Sequence, residues 1–266
     1  MTKDEILAKA KYILVESYGS DKNPGVKQNI ETNRQSVLDY LKDKEYLKIG
    51  NPDPSTRYDD KENVHHYTTK FLYKNLQEIM DFIGVKDFNF NDFVLRENIK
   101  ENRDDEITTE DFSYLFYIKP VKYKLVCHSY DLLPNNIINF IQGGDIIECN
   151  YNFLTNVKFN HILGTFYNNS IPLSYYHRLN YLAHECGIIE NLSTESNKTL
   201  LISCDSHSIP LIPILSCYYK KVICLDSRFK YNVTDLYWSN EYIDDVIIIP
   251  SFNANIEKYI DKNFIG

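Results

Sequence analysis

The stretch "TLLISCDSHSIPLIPILSCYYKKVICLDSR", residues 199–228, constrains the fold more than any other part of the chain. A short apolar run ends at Cys204, apolar positions at helical spacing follow, and then comes a second short run, "KVICL". Apolar runs this short, with turn residues at their ends, read as buried strands. The helix between them is expected over about 209–219, with Pro210 and Pro213 near its first turn, where a missing N–H costs little. A helix-like stretch near 233–242 and the run "DVIIIP" continue the alternation. Strands separated by helices imply right-handed βαβ crossovers. The expected class is therefore α/β, with a central parallel sheet flanked by helices.

In open parallel sheets, ligands bind beyond the carboxyl ends of the strands. Here those ends carry Asp205-Ser206, Asp226-Ser227-Arg228 and Pro250-Ser251. Ser206 sits at a strand-to-helix turn, a place that suits either a nucleophile or an N-cap hydroxyl satisfying an orphan N–H of the first turn. Asp226 and Ser227 also read as turn residues, and Arg228 as a surface charge paired with a nearby acid.

A chain of 266 residues with 43% hydrophobic content is long enough to build a sizeable core. Its net charge of -8, with no dense Lys/Arg cluster, offers no cationic field for phosphate backbones, so nucleic acid is not an expected partner. No stretch approaches the roughly 18–20 apolar residues that cross a bilayer, so no membrane insertion is expected. "MTKDEILAKAKYILVESYG" reads as an amphipathic helix without the uninterrupted apolar core of a secretory signal, and a cytoplasmic location follows.

The six cysteines, Cys127, Cys149, Cys186, Cys204, Cys217 and Cys224, form no C-x-x-C pair, and several lie inside apolar runs. That pattern fits reduced thiols acting as small hydrophobes and lacks the paired spacing of a zinc site, so no metal is expected. Nine glycines include neither G-x-G-x-x-G nor a Walker loop, and no D-x-D follows a strand, so no cofactor is called for. The 22 tyrosines read as half-buried packing rather than as sugar-stacking platforms.

Two polar segments, 50–63 and 96–111, read as surface loops or connectors. Between them, Leu72, Leu76, Ile79, Met80 and Ile83 fall on one helical face, Thr68 or Thr69 can cap the helix, and Gly84 can stop it. His65 and His66 precede its first turn.

Together, "NVHHYTTKFLYKNLQEIMDFIGV" and "LLISCDSHSIPLIPILSCYYKKVICLDSR" resemble the SGNH-hydrolase-like proteins of the DHHW type, relatives of the alginate O-acetyltransferases. "PLSYYHRLNYLAHECGIIENLS" is similar, more loosely, to the family's stretch ahead of the serine. The resemblance runs over roughly 58–250 and implies an SGNH-like domain spanning 1–266, with 1–57 as a helical N-terminal extension. It implies Ser206 as nucleophile in an Asp205-Ser206 pair, His66 as general base, and Arg228 with Asp226 as substrate or oxyanion contacts. The expected activity is O-acyl transfer, in particular O-acetyl transfer, or ester hydrolysis on a carbohydrate. Its partners would be a glycan acceptor and an acyl donor, in polysaccharide or glycan biosynthesis.

The chain departs from the pattern at Val64, where the family carries its acid, at Tyr67 for tryptophan, and at Cys204, where glycine often precedes Asp-Ser. Two other readings stay open. One is a catalytically inactive relative that binds glycan or a partner protein; the other is a glycosyltransferase using a nucleotide sugar in the same cleft.

Overall fold

The computed structural model describes residues 2–15, 24–50, 69–103, 106–117, 121–126, 148–150, 153–159, 188–204, 211–226, 242–250 and 256. Thr2 opens helix α1 (Lys3–Ala8) with a capping box: its hydroxyl accepts from the Glu5 N–H, and the Glu5 carboxylate accepts from the Thr2 N–H at 2.6 Å. Strand β1 (Ala10–Val15) follows immediately, so the N-terminal stretch is not one amphipathic helix. The run Tyr12-Ile13-Leu14-Val15 has no polar face for a surface helix to show, and all four residues are buried. Residues 10–15 and 46–49 belong to the sheet rather than to a helical extension.

Helix α2 (Pro24–Leu41) leads to β2 (Tyr46–Ile49), and α3 (Thr69–Ile83) leads to an antiparallel pair, β3 (Phe93–Arg103) and β4 (Glu106–Tyr117). The charged segment 96–111, expected as a loop, thus forms most of a hairpin. Its charges obscure the aromatic and β-branched residues, Phe93, Val94, Ile99, Ile107 and Phe112 among them, that favour strands. Next come β5 (Val121–Val126), β6 (Glu148–Asn150), β7 (Phe153–Phe159) and β8 (Ile188–Asn191). The chain then runs through β9 (Thr199–Cys204), helix α4 (Leu211–Leu215), β10 (Lys221–Asp226) and β11 (Asp245–Ile248). Within the described residues helix α4 ends at Leu215, earlier than the sequence spacing predicts, and the helix expected near 233–242 lies almost wholly outside the described residues.

Among the described residues the main sheet has the order β2-β1-β11-β9-β10-β8-β5-β7-β6. The first five strands are mutually parallel, and the other four extend the sheet by antiparallel pairing from β10 outward. The class is α/β, but the sheet is mixed rather than wholly parallel.

Successive strand side chains alternate between faces. On the first face Tyr12, Leu14, Leu201, Ile223, Leu225, Val246 and Ile248 pack with Ile6 of α1 and with Val37 and Leu41 of α2. The intervening positions, Ile13, Leu200, Ile202, Val222, Cys224 and Ile247, are also buried and face the other way. Right-handed crossovers require this two-sided cover: β1 to β2 and β9 to β10 step in opposite directions along the sheet, so α2 and α4 lie on opposite faces.

Helix α3 covers the second face. Its expected stripe, Leu72, Leu76, Ile79, Met80 and Ile83, is buried along the whole helix. Gly84, at φ 88°, stops it in a left-handed cap: the Gly84 N–H donates to Met80 and Asp81 oxygens, and the Val85 N–H donates to Met80 O at 3.0 Å. The two remaining orphan carbonyls, Phe82 and Ile83, accept from Lys11 Nζ at 2.8 and 3.0 Å. Because Lys11 stands at the amino end of β1, α3 ends at the amino edge of the parallel strands.

Candidate functional site at the carboxyl edge of the sheet

The two edges of the parallel strands differ in what holds them. At the amino edge, the buried Asn191 side chain donates from Nδ2 to Ser216 O at 2.8 Å and Cys217 O at 3.3 Å. Its Oδ1 accepts from the Ser193 and Thr194 N–H groups at 2.8 and 3.1 Å. One side chain thereby closes the turn after α4 and shapes the loop from β8 to β9. Asp244 and Thr199 exchange two bonds: the Thr199 N–H donates to Asp244 Oδ2 at 2.8 Å, and the Asp244 N–H donates to Thr199 O at 3.0 Å.

Asp245 Oδ2 accepts from Tyr219 Oη at 2.9 Å and from Lys198 Nζ at 3.1 Å. Burial first, and the adjacent Asp245 carboxylate second, push the Tyr219 phenol well above the ordinary tyrosine range. Tyr12 is raised too, by burial and by its hydrogen bond with Tyr40. Both phenols are therefore neutral structural groups, fixed by packing.

At the carboxyl edge, β9 ends at Cys204 and β10 at Asp226, and these two residues are register partners. The Ile249 N–H donates to Ser203 O at 3.0 Å and carries the β11 pairing one residue past its last strand position. Ser203 itself is fully buried. Three strand ends thus meet side by side at the point where the chain passes into Asp205-Ser206, Ser227-Arg228 and Ser251. This edge also includes the switch between β1 and β9, whose crossovers leave on opposite faces; open α/β sheets form their binding crevice at such a place.

Of the site residues expected from sequence, Asp226 lies within the described backbone, as the last residue of β10. Ser206, Asp205, His66 and Arg228 lie outside the described residues, as do Val64 and Tyr67. In sequence, Ser206 is two residues past Cys204, Arg228 two past Asp226, and His66 three before Thr69, the first residue of α3. Three residues reach at most about 10 Å.

The sequence reading missed that β1 belongs to the sheet, and so missed a fourth segment leaving this edge: "ESYGSDKN", residues 16–23, follows the carboxyl end of β1. The signal was there in the unbroken run Tyr12 to Val15, which is too apolar for one face of a surface helix. Among the described residues no group of His, Cys, Asp or Glu could hold a metal ion, and no helix is long and apolar enough to cross a membrane. Cys217 and Cys224 are buried.

No protein-family model matches the chain, and no curated protein matches it significantly. Solved structures do match. A DHHW family protein from Eubacterium siraeum aligns with a TM-score of 0.54 at 11% identity, over 97% of this chain and 83% of its own. Bacillus cereus PatB1 carrying a sulfonyl adduct aligns at 0.52 and 13% identity, over 94% of this chain and 85% of its own. A second structure of Bacillus cereus PatB1 aligns at 0.51 and 14% identity, over 94% of this chain and 86% of its own. At these identities the likeness concerns the fold, and it agrees with the SGNH-like architecture to which the sequence motifs pointed.

Proposed function

We propose that this chain is a Ser-His acyl-transfer enzyme, an O-acetyltransferase or esterase acting on carbohydrate hydroxyls. The observation that carries the reading is that Cys204 and Asp226, register partners, end adjacent parallel strands at the carboxyl edge, where this class of fold binds ligands, while α3 follows the His65-His66 pair in sequence. The segments that follow or precede them contain Ser206, Arg228 and His66. A serine hydroxyl is a weak nucleophile until a base takes its proton, and a histidine is poised to do so near neutral pH.

In this mechanism Ser206 Oγ attacks the acyl carbonyl while His66 takes the hydroxyl proton. The tetrahedral oxyanion receives the Ser206 backbone N–H, with Arg228 as a cationic donor. Collapse expels the donor's leaving group, which takes the proton from His66, and leaves an acyl-serine. His66 then deprotonates a sugar hydroxyl or a water, whose oxygen displaces Ser206 and regenerates the free enzyme. No metal or cofactor enters these steps.

Val64 favours a second reading, an inactive relative that binds glycan or a partner protein, because a triad without its acid leaves the imidazole unoriented. One neighbour's description as a sulfonyl adduct suggests the discriminating reagent. Sulfonyl fluorides and fluorophosphonates bond covalently to activated nucleophiles. Peptide mapping by mass spectrometry is expected to find one adduct on Ser206, absent from Ser206→Ala. An unlabelled, folded wild type that also fails to turn over p-nitrophenyl acetate would support the binding protein instead, and stabilisation by a nucleotide sugar would support a glycosyltransferase.

A further inference from the structure

Lys11 is anomalous where it stands. The strand "AKYILV" is apolar on both sides of the sheet apart from this one ammonium, which lies on the face covered by α3. Its Nζ donates to Phe82 O and Ile83 O, and it sits 5.6 Å from the Phe82 ring centroid. The turn at Gly84 supplies N–H groups to Met80 and Asp81 only. Lys11 therefore completes the four terminal carbonyls of α3, and it does so from a strand of the main sheet, next to the edge strand β2, rather than from within the helix. A cation at a helix carboxyl terminus also meets the negative end of the helix dipole. Gly84 fits the same contact: a Cβ there would lie 3.8 Å from Lys11 Nζ.

An apolar stripe sets the axial position of a helix through non-directional side-chain packing. Two hydrogen bonds from a strand to its last carbonyls add a directional restraint at one end. The opposite end of α3 is where the chain arrives from His66, three residues before Thr69. We propose that Lys11 is a positioning residue: by holding the last two carbonyls of α3 from the amino end of β1, it fixes the helix's axial position and so sets where His66 stands relative to the carboxyl end of β9. The inference rests on the acyl-transfer reading for its catalytic consequence, but not for its structural half. Lys11 touches no reacting atom; it acts through the helix.

The test compares Lys11→Met and Lys11→Arg in the full chain, with activity normalised to folded protein by urea titration. Misplacement of a catalytic group by about 1 Å can cost on the order of 10²-fold. In Lys11→Met, kcat toward p-nitrophenyl acetate is expected to fall about tenfold to a hundredfold, with KM within about twofold. Lys11→Arg, which keeps a long cationic donor, is expected to recover most of the loss. An unchanged kcat in Lys11→Met overturns the proposal, since a local cap would lower stability alone.

Hydrogen exchange provides a readout independent of catalysis. Lys11→Met is expected to raise exchange throughout 69–83, whereas a change confined to the last turn, 80–84, overturns the anchoring role. If the wild type shows neither turnover nor fluorophosphonate labelling, the acyl-transfer reading has failed, and hydrogen exchange alone decides whether Lys11 holds α3 as a unit.

Discussion

The two edges of the parallel strands carry different polar residues: side chains bonded within the fold at the amino edge, and a sequence bearing serine, aspartate and arginine directly beyond the carboxyl edge. At the amino edge, polar side chains are matched to specific partners: Asn191 makes four hydrogen bonds, Asp245 takes two, Asp244 and Thr199 exchange two, and Lys11 completes α3. At the carboxyl edge the strands stop at Cys204 and Asp226, and the chain continues into serine, aspartate and arginine. Bonds satisfied within the fold leave little capacity for a ligand. The amino edge therefore holds the sheet in place, and on the proposed acyl-transfer reading the chemistry belongs to the carboxyl edge, where open α/β sheets generally bind ligands.

The comparison breaks most sharply at Ser206. If the carboxyl edge is the chemical one, Ser206→Ala is expected to reduce acetyl-ester turnover by 10³-fold or more, since a triad without its nucleophile retains only background catalysis. Thermal denaturation should show a nearly unchanged melting temperature. A normal rate with a loss of about 1 kcal/mol in stability would instead make Ser206 an N-cap.

Asn191→Leu is the mirror experiment. The substitution strands two N–H groups and two carbonyls at a position of 1% exposure. It is expected to cost about 3 kcal/mol in urea unfolding, from unsatisfied buried polar groups. The kcat of the folded fraction should stay within about twofold, because the residue sits at the far edge. A large fall in kcat with little loss of stability would show that the division between edges is false.

A smaller effect is expected at Val64. Without a carboxylate, His66 can adopt the wrong tautomer, and its imidazolium goes unstabilised. Val64→Asp is therefore expected to raise kcat about tenfold and to move the acidic limb of its pH profile. A neutral or harmful effect would mean that another acceptor, such as Asp60 or Asn63, already orients the ring, and that the new carboxylate only crowds it.

Much of this division could be read from the residues alone. The five buried positions of α3 and its glycine stop follow from 3.6-residue spacing, and β9, β10 and β11 from short apolar runs. The strand β1 has a legible apolar run, Tyr12 to Val15, but the charges ahead of it point the other way. Lys9 and Lys11 give "KDEILAKAK" the charge spacing of a surface helix, yet Lys11 is a strand residue whose ammonium is needed by carbonyls 71 and 72 residues away in sequence. Long-range partners of that kind leave no periodic trace. The β3–β4 hairpin failed in the same way, because its register is set across strands while its charges are read along them. For the site, the strand ends were legible as places, whereas the distance from Ser206 to His66 depends on how α3 is set down on the sheet.

The smallest expected effect sharpens the account of the amino edge. Tyr219 is 2% exposed, and its hydroxyl donates to Asp245. Burial, with the carboxylate beside it, favours the neutral phenol in the folded state and raises its titration well above the unfolded value of about 10. The stability this provides is fully present below about pH 10 and is lost as pH rises, because only the unfolded chain can then ionise freely. Each pH unit above that point costs the wild type about 1.4 kcal/mol from Tyr219 until the folded state also ionises. Tyr219→Phe removes this group. At pH 7 the variant is expected to lose about 1 kcal/mol, the usual net contribution of one hydrogen bond. Between pH 10 and 11 its stability should fall less steeply than the wild type's, so the two curves approach and then cross. Urea unfolding at pH 7, 9, 10 and 11 measures both quantities. Parallel curves would mean that Tyr219 ionises as readily in the folded chain as in the unfolded one, and that the amino edge is open to water.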